Sequence, residues 1–287
     1  MKQKRLVTIQ DLSCFGKCSL TVALPVISAL GIETAVIPTA VLSTHTGECF
    51  HDYTFCTLEG ELDKISGSWQ KNGLHFDAIY IGYIGSEELI EAVSRFIDKF
   101  RGEAVVFIDP AMADNGEFYR GINEKYAARL AELCRKADII SPNMTEALVM
   151  CGYAPSEKNI PAAELAKKLS ESVPDVIITG IHNGESIVTA AFEGKTQNYS
   201  TVSRKMRSGH FYGTGDLFAS AFIGLYINGC RLAEAVEKAA DFVSSCIENT
   251  LDEAELYRYG LKFEQSLGIL TDYFDVLRGA GINAGKG

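Results

Sequence analysis

Short runs of branched apolar residues alternate along this chain with longer stretches whose apolar positions recur every three or four residues. That rhythm predicts strands separated by amphipathic helices. Residues 6–9 and 34–42 read as the first two strands, around a helix over 19–30 that Gly31 stops. A third strand over 78–81 feeds a helix over 87–100, in which Leu89, Ile90, Val93, Phe96 and Ile97 share one face. A fourth strand over 104–108 ends at Asp109-Pro110, and a helix over 124–136 leads into a short strand over 138–141 closed by Pro142. Strands over 176–179 and 186–192 follow, the second antiparallel across a His182-Asn183-Gly184 turn. Two long helices, over 215–228 and 232–249, close the core. The pattern predicts an α/β fold of three layers, with a mostly parallel central sheet flanked by helices. No repeat or flexible linker interrupts it, so residues 1–287 are expected to form a single domain. Residues 43–75 fit the rhythm poorly and are expected to be a lid or an edge-strand insertion; the glycine-rich 279–287 is expected to be a mobile tail.

Composition narrows the classes of partner. The 287 residues are 47% apolar and 22% charged, values of an ordinary globular chain. A chain of this length buries roughly 75% of its unfolded surface and needs no disulfide or metal staple. With 27 Lys+Arg against 37 Asp+Glu, the net charge is −10, a poor electrostatic match to nucleic acid or an anionic membrane. An anionic ligand must therefore be held by a local feature. The first residues carry only a four-residue apolar run, and the longest apolar stretch, 217–227, is shorter than the ~20 residues of a membrane helix. The eight cysteines contain no CxxC, and neither Cys14/Cys18 nor His45/His51 makes a zinc pattern. Most are expected to be small buried hydrophobes in a reduced, cytoplasmic chain.

In open α/β sheets, ligands bind beyond the carboxyl ends of the strands. The polar residues expected there are Gln10-Asp11, Ser43 to Gly47, Gly82-Tyr83, Asp109-Pro110, Pro142 to Glu146 and Thr179-Gly180. Any one of these reads equally well as a turn or helix cap; their joint occurrence points to a site. The most informative element is Gly213-Thr214-Gly215-Asp216, followed at once by an apolar helix. Two glycines around a threonine let successive N–H groups converge at a helix N-terminus, which binds anions without a lysine. Asp216, in the first turn, is placed to accept a proton from an attacking hydroxyl, although an acidic residue there also simply suits the helix dipole. No GxxxxGK[ST], GxGxxG or GxSxG occurs, which disfavours P-loop kinases, dinucleotide dehydrogenases and α/β-hydrolases.

The run from Phe211 to Ala219 resembles the phosphoryl-transfer signature of the ribokinase-like superfamily in its pyridoxal kinase form. Thr8-Ile9-Gln10, Leu24-Pro25, Leu30-Gly31, the Ser43-Thr44-His45-Thr46-Gly47 loop, Gly82-Tyr83, Asp109-Pro110 and Pro142 to Glu146 follow that family's order over nearly the whole chain. The resemblance implies transfer of the γ-phosphate of ATP to the 5′-hydroxymethyl group of a vitamin B6 vitamer. It implies Asp216 as catalytic base and Gly213, Thr214 and Gly215 as an anion hole. Asp11, Thr46, Tyr83 and Asp216 would contact the substrate. Asn143, Thr179, Gly180, Thr214 and Tyr119 would serve ATP, Tyr119 as part of a flap. Asp109, Asp114 and Glu146 would serve Mg²⁺, which favours a few carboxylates plus water and phosphate. A monovalent cation is a further candidate, and a homodimer is the assembly the resemblance implies.

Two departures stand out. Asp11 replaces the serine that pyridoxal kinases usually carry there, which would alter the choice among vitamers. Phe15-Gly16-Lys17-Cys18-Ser19 lacks the usual pair of small residues; Lys17 reads as a surface lysine and Cys18 as a buried cysteine. Hydroxymethylpyrimidine kinase is the nearest rival, disfavoured by Ser13-Cys14-Phe15-Gly16 in place of a GGAG-type stretch. A non-catalytic vitamer-binding protein is the rival of a different class, and it would need no base at Asp216.

Overall fold

Every second residue of the central strands faces one of two separate cores. In β1 (Arg5–Ser13), Val7 and Ile9 point into one and Leu6 into the other; in β4 (Ala78–Ile81) Ile79 and Ile81 oppose Ala78 and Tyr80. Strands covered on both faces in this way read as continuous apolar runs, which is why they were visible without alternation. The computed structural model describes residues 2–47, 49–50, 52–209, 211–252 and 258–284, those from 280 onward by backbone alone.

The remaining strands are β2 (Glu33–Leu42), β3 (Phe55–Thr57), β5 (Val105–Ile108), β6 (Ala113–Asp114), β7 (Glu117–Phe118), β8 (Ile139–Ile140), β9 (Asp175–Asn183), β10 (Ser186–Glu193) and β11 (Asn198–Lys205). Nine of the eleven described strands form one sheet, ordered β11-β10-β9-β8-β5-β4-β1-β2-β3, parallel from β2 through β9 and antiparallel at both edges. β6 and β7 pair separately as a small hairpin.

Helices α2 (Glu61–Lys71), α3 (Glu87–Phe100), α4 (Glu124–Cys134), α5 (Met144–Met150) and α6 (Ala162–Leu169) pack in succession on one face. Helices α1 (Leu20–Ala29), α7 (Thr214–Ile227), α8 (Leu232–Glu248) and α9 (Leu267–Ala284) cover the other. Local chemistry sets their starts: Ser86 caps α3 and Asn123 caps α4 through their side-chain oxygens. Phe107 packs against both Tyr80 and Phe222 at centroid separations of 5.3 Å and so ties α7 to β5 and β4. The α/β architecture with a mostly parallel sheet between two helical layers is the expected one.

Several boundaries differ. β1 runs on to Ser13, because β2 pairs with it past a register shift between Gln10 and Leu12; Gln10 and Asp11 thus lie inside the strand, not after it. Asn143 opens helix α5 as its cap, one of the two local readings of that segment. The β9–β10 hairpin turns at Gly184-Glu185, since Asn183 is still paired with Ser186. β11 escaped notice because its exposed face is polar and only alternate residues are partly covered. α9 escaped because glycines at 268, 279 and 281 break its pattern, and it carries 279–284 as helix; the last three residues of the expected tail lie outside the described residues. Within 43–75, β3 is an edge strand against β2, whereas α2 belongs to the helical layer, with Leu62 buried and Trp69 against Phe76. Four of the eight cysteines are buried, at 134, 151, 230 and 246, and all are free thiols. Among the described residues no helix is long and apolar enough to cross a membrane.

Candidate active site

β1 sits between β2 and β4, so the chain leaves it first to one side and then to the other. Such a switch of direction opens a crevice beyond the strand ends, because the two following connections depart to opposite sides. Tyr83 follows β4, and burial and then the charge of Asp11 push its hydroxyl up to about 12. Asp109 follows β5, and a bridge between Asn143 and Thr179 extends the sheet beside it.

The N-terminus of α7 faces the same crevice. Gly213 has φ +80°, and a Cβ there would stand 2.2 Å from the Lys17 carbonyl oxygen, so no side chain fits. A Cβ on Gly215 would meet nothing within 4 Å; the space before the helix end is open. The first intrahelical bond runs from the Leu217 N–H to the Gly213 carbonyl at 3.0 Å, which leaves the preceding N–H groups without helical acceptors. Open space before unpaired N–H groups at the positive end of a buried helix is a site for an anion.

Asp216 lies in that first turn, and its Oδ2 accepts the Ser19 N–H at 2.9 Å. Burial raises its pKa from the ordinary 3.8 to about 7; the Ser19 N–H opposes the rise and the charge of Asp11 adds to it. Asp109 is pushed to about 8 by burial and by the charge of Asp216, with Ser141 opposing. Asp11 is buried and raised by that burial, while the hydroxyls of Ser13 and Ser19 donate to its two oxygens. Burial raises the proton affinity of all three carboxylates, and the charge of Asp216 acts on Asp109 as that of Asp11 acts on Asp216.

Among the described residues no three His, Cys, Asp or Glu side chains form a metal cage, and Asp109, Asp114 and Glu146 stand as scattered acids. Asp114 is exposed on the β6–β7 hairpin, where both its oxygens accept hydrogen bonds from Asn115. Glu146 is buried and accepts the N–H groups of Met112 at 3.0 Å, Ala113 at 3.4 Å and Asn143 at 2.8 Å. It therefore ties the segment after β5 to α5; burial and Asp109 push its pKa up against these three donors. Glu146→Ala would strand three backbone donors, and is expected to cost about 3 kcal/mol or more, read as a lower urea midpoint at unchanged m-value.

The ATP-side residues are placed unevenly. Asn143 caps α5: its Oδ1 accepts the Glu146 N–H at 2.9 Å, and its Nδ2 donates to the Ala113 carbonyl at 2.7 Å. Its side chain is committed to the fold on both sides. Thr179 is half-buried on β9, and Gly180 takes φ +69° directly after it. Tyr119 follows the β6–β7 hairpin with 40% of its surface exposed. Its hydroxyl end turns inward, where burial and then Glu146, Asp114, Asp109 and Asp216 raise its pKa. The hairpin and Tyr119 thus overhang the acids, as a flap would.

In the loop after β2, Thr46 is exposed and His45 is buried. The Gly47 N–H donates to His45 Nδ1 at 3.0 Å, so Nε2 carries the proton and donates to the Arg258 carbonyl at 2.9 Å. Burial lowers the His45 pKa, which keeps the ring neutral. His45 also stacks against Tyr212 at 4.9 Å and blocks any side chain at Gly16, joining the β1, β2 and α7 loops. Lys17 points away from the crevice: it pairs with Glu264 at 2.8 Å and lies over Phe263. Cys18 is half-buried beside Gly213, and burial, Asp216 and Asp11 hold its thiol well above the ordinary range, so it is no thiolate nucleophile. Sequence reasoning missed Ser19 and the bridging part of His45. The only signal for Ser19 was its position before the first helix, which reads as an ordinary cap.

A family profile described as Phosphomethylpyrimidine kinase matches residues 7–257. The hydroxymethylpyrimidine/phosphomethylpyrimidine kinase of Bacillus subtilis is 28% identical over 251 residues, 87% of this chain and 84% of that protein. A crystal structure with pyridoxal, of a provisionally assigned phosphomethylpyrimidine kinase from Bacteroides thetaiotaomicron, superposes with a TM-score of 0.89 at 33% identity, covering 94% of this chain and 96% of the other. The pyridoxal kinase of Lactobacillus plantarum gives a TM-score of 0.87 at 27% identity, over 93% of this chain and 96% of the other.

Proposed function

Because the chain belongs to the phosphomethylpyrimidine kinase family, whose members are phosphotransferases, we propose that it transfers the γ-phosphate of ATP to the 5′-hydroxymethyl group of a vitamin B6 vitamer. The observation that carries this reading is Asp216: a carboxylate raised to about 7, in the first turn of a helix whose open end suits a phosphoryl group. In this reading Asp216 accepts the proton of the substrate hydroxyl as it attacks. The N–H groups of Gly213 to Gly215 stabilise charge on the transferred group, without reorganising during the step. Asp11, Tyr83 and Thr46 form the ring side, and Thr179, Gly180 and Tyr119 the nucleotide side.

Asp109 fits a divalent cation. It is a carboxylate whose charge is disfavoured by burial and by Asp216, and a hard cation relieves both. Bound Mg²⁺ would offset the charge of the ATP phosphates. Asp114 and Glu146 also accept hydrogen bonds from the protein, and their remaining lone pairs would serve the same region directly or through water. Support for a B6 vitamer over a pyrimidine comes from the relative crystallised with pyridoxal and from the pyridoxal kinase of similar structure. The Bacillus relative favours hydroxymethylpyrimidine as the second reading.

A panel of pyridoxal, pyridoxamine, pyridoxine and hydroxymethylpyrimidine with ATP and Mg²⁺ tests both. The highest kcat/KM is expected for a vitamer; a clear preference for hydroxymethylpyrimidine would replace the first reading by the second. Asp11→Ser in the same panel is expected to change the ratio of kcat/KM between vitamers by roughly tenfold, the scale of one hydrogen bond to a charged group. An unchanged ratio would mean that Asp11 supports the loop and does not read the ring.

A further inference from the structure

Asp11 and Asp216 are connected by a single residue. The Ser19 hydroxyl donates to Asp11 Oδ1, and the Ser19 N–H donates to Asp216 Oδ2 at 2.9 Å. Ser19 does this in a backbone conformation that L-residues avoid, φ 52° and ψ −126°, immediately before α1. It caps nothing with its side chain; instead its carbonyl accepts the N–H groups of Val22 and Ala23. It is also buried. Strained backbone persists only where its surroundings over-determine it, and here the hydroxyl bond to a carboxylate supplies that restraint.

We propose that Ser19 is a positioning residue: its hydroxyl, anchored on Asp11, holds the strained backbone that aims its N–H at Asp216. The ring side and the base are thereby set by one element. This rests on the functional reading above, in which Asp11 faces the substrate and Asp216 accepts its proton. The chemistry separates the two halves of the link. Glycine at this position adopts positive φ without cost and needs no hydroxyl to keep its N–H in place. Alanine lacks the hydroxyl yet still disfavours positive φ, so it relaxes and withdraws the N–H.

The test compares Ser19→Gly and Ser19→Ala in the full chain, by steady-state kinetics and by amide hydrogen exchange at residue 19. Both variants are expected to raise KM for the heterocycle roughly tenfold, as a lost bond to a charged group would, with KM for ATP unchanged. Ser19→Gly should keep kcat within about threefold of wild type, whereas Ser19→Ala should lose about tenfold or more. Exchange at residue 19 should stay protected in Ser19→Gly and accelerate at least about tenfold in Ser19→Ala. Equal kcat and equal protection in the two variants would overturn the proposal, as would wild-type KM in both. Should Ser19→Ala fail to fold, Asp11→Ala supplies the same test: it should deprotect residue 19 alone but not in combination with Ser19→Gly. A wild-type protein that phosphorylates none of the four heterocycles would sink the functional reading, and the exchange measurement would still decide the link.

Discussion

Asp216→Asn is expected to lower kcat by roughly 10²–10⁴-fold, the range for loss of a general base, while KM for ATP moves by no more than about threefold. The asparagine carbonyl can still accept the Ser19 N–H that Asp216 accepts at 2.9 Å, so the variant should keep its local geometry and lose only its ability to take a proton. Wild-type pH dependence follows from the same group. A base works ionised, and burial raises this carboxylate to about 7, so kcat/KM should rise with pH and level off near 7 instead of near 4. Below the midpoint each unit of pH should cost about tenfold. The variant's residual activity should lack this limb. Turnover within a few-fold of wild type, with the acid limb intact, would remove Asp216 from the role.

The two glycines of the α7 start should fail differently. Gly213→Ala forces a side chain into a left-handed residue with φ +80°, and its Cβ would approach the Lys17 carbonyl to 2.2 Å. Neither partner is a flexible side-chain end, so backbone must move. The expected cost is roughly 3 kcal/mol from strain and overpacking, with activity lost along with the loop. Gly215→Ala meets nothing within 4 Å and has no positive φ, so stability should be unchanged. Its methyl would instead project toward the space an anion would fill, raising KM for ATP. Calorimetry and kinetics together read the contrast: a destabilised Gly213→Ala beside a stable Gly215→Ala with weakened ATP use. Equal melting temperatures would refute the account of Gly213.

The elements legible in the sequence were those whose signals are local. Strand 78–81 and helix 87–100 appear with their expected bounds, the one a fully buried run and the other an amphipathic stretch capped by Ser86. β11 and α9 were missed because an exposed edge strand and a glycine-interrupted helix carry weak periodicity. At the site, the glycine-threonine-glycine-aspartate start of α7 was readable because its chemistry lies within four consecutive residues. Asp109 and Glu146 were not distinguishable, since both are acids near strand ends. Only the fold shows that Glu146 accepts three backbone N–H groups, while Asp109 feels the charge of Asp216. Ser19 lies further from reach still, as its partners are 8 and 197 positions away.

The first loop is also stitched to the far end of the chain. The Lys17 N–H donates to the Tyr259 carbonyl at 2.7 Å, its ammonium pairs with Glu264 at 2.8 Å, and its own carbonyl abuts Gly213. The loop that abuts the start of α7 is thus held by residues 242 and 247 positions further along the chain. A chain shortened before residue 258 should lose this support, read as faster amide exchange at Lys17, whose N–H donates to the Tyr259 carbonyl.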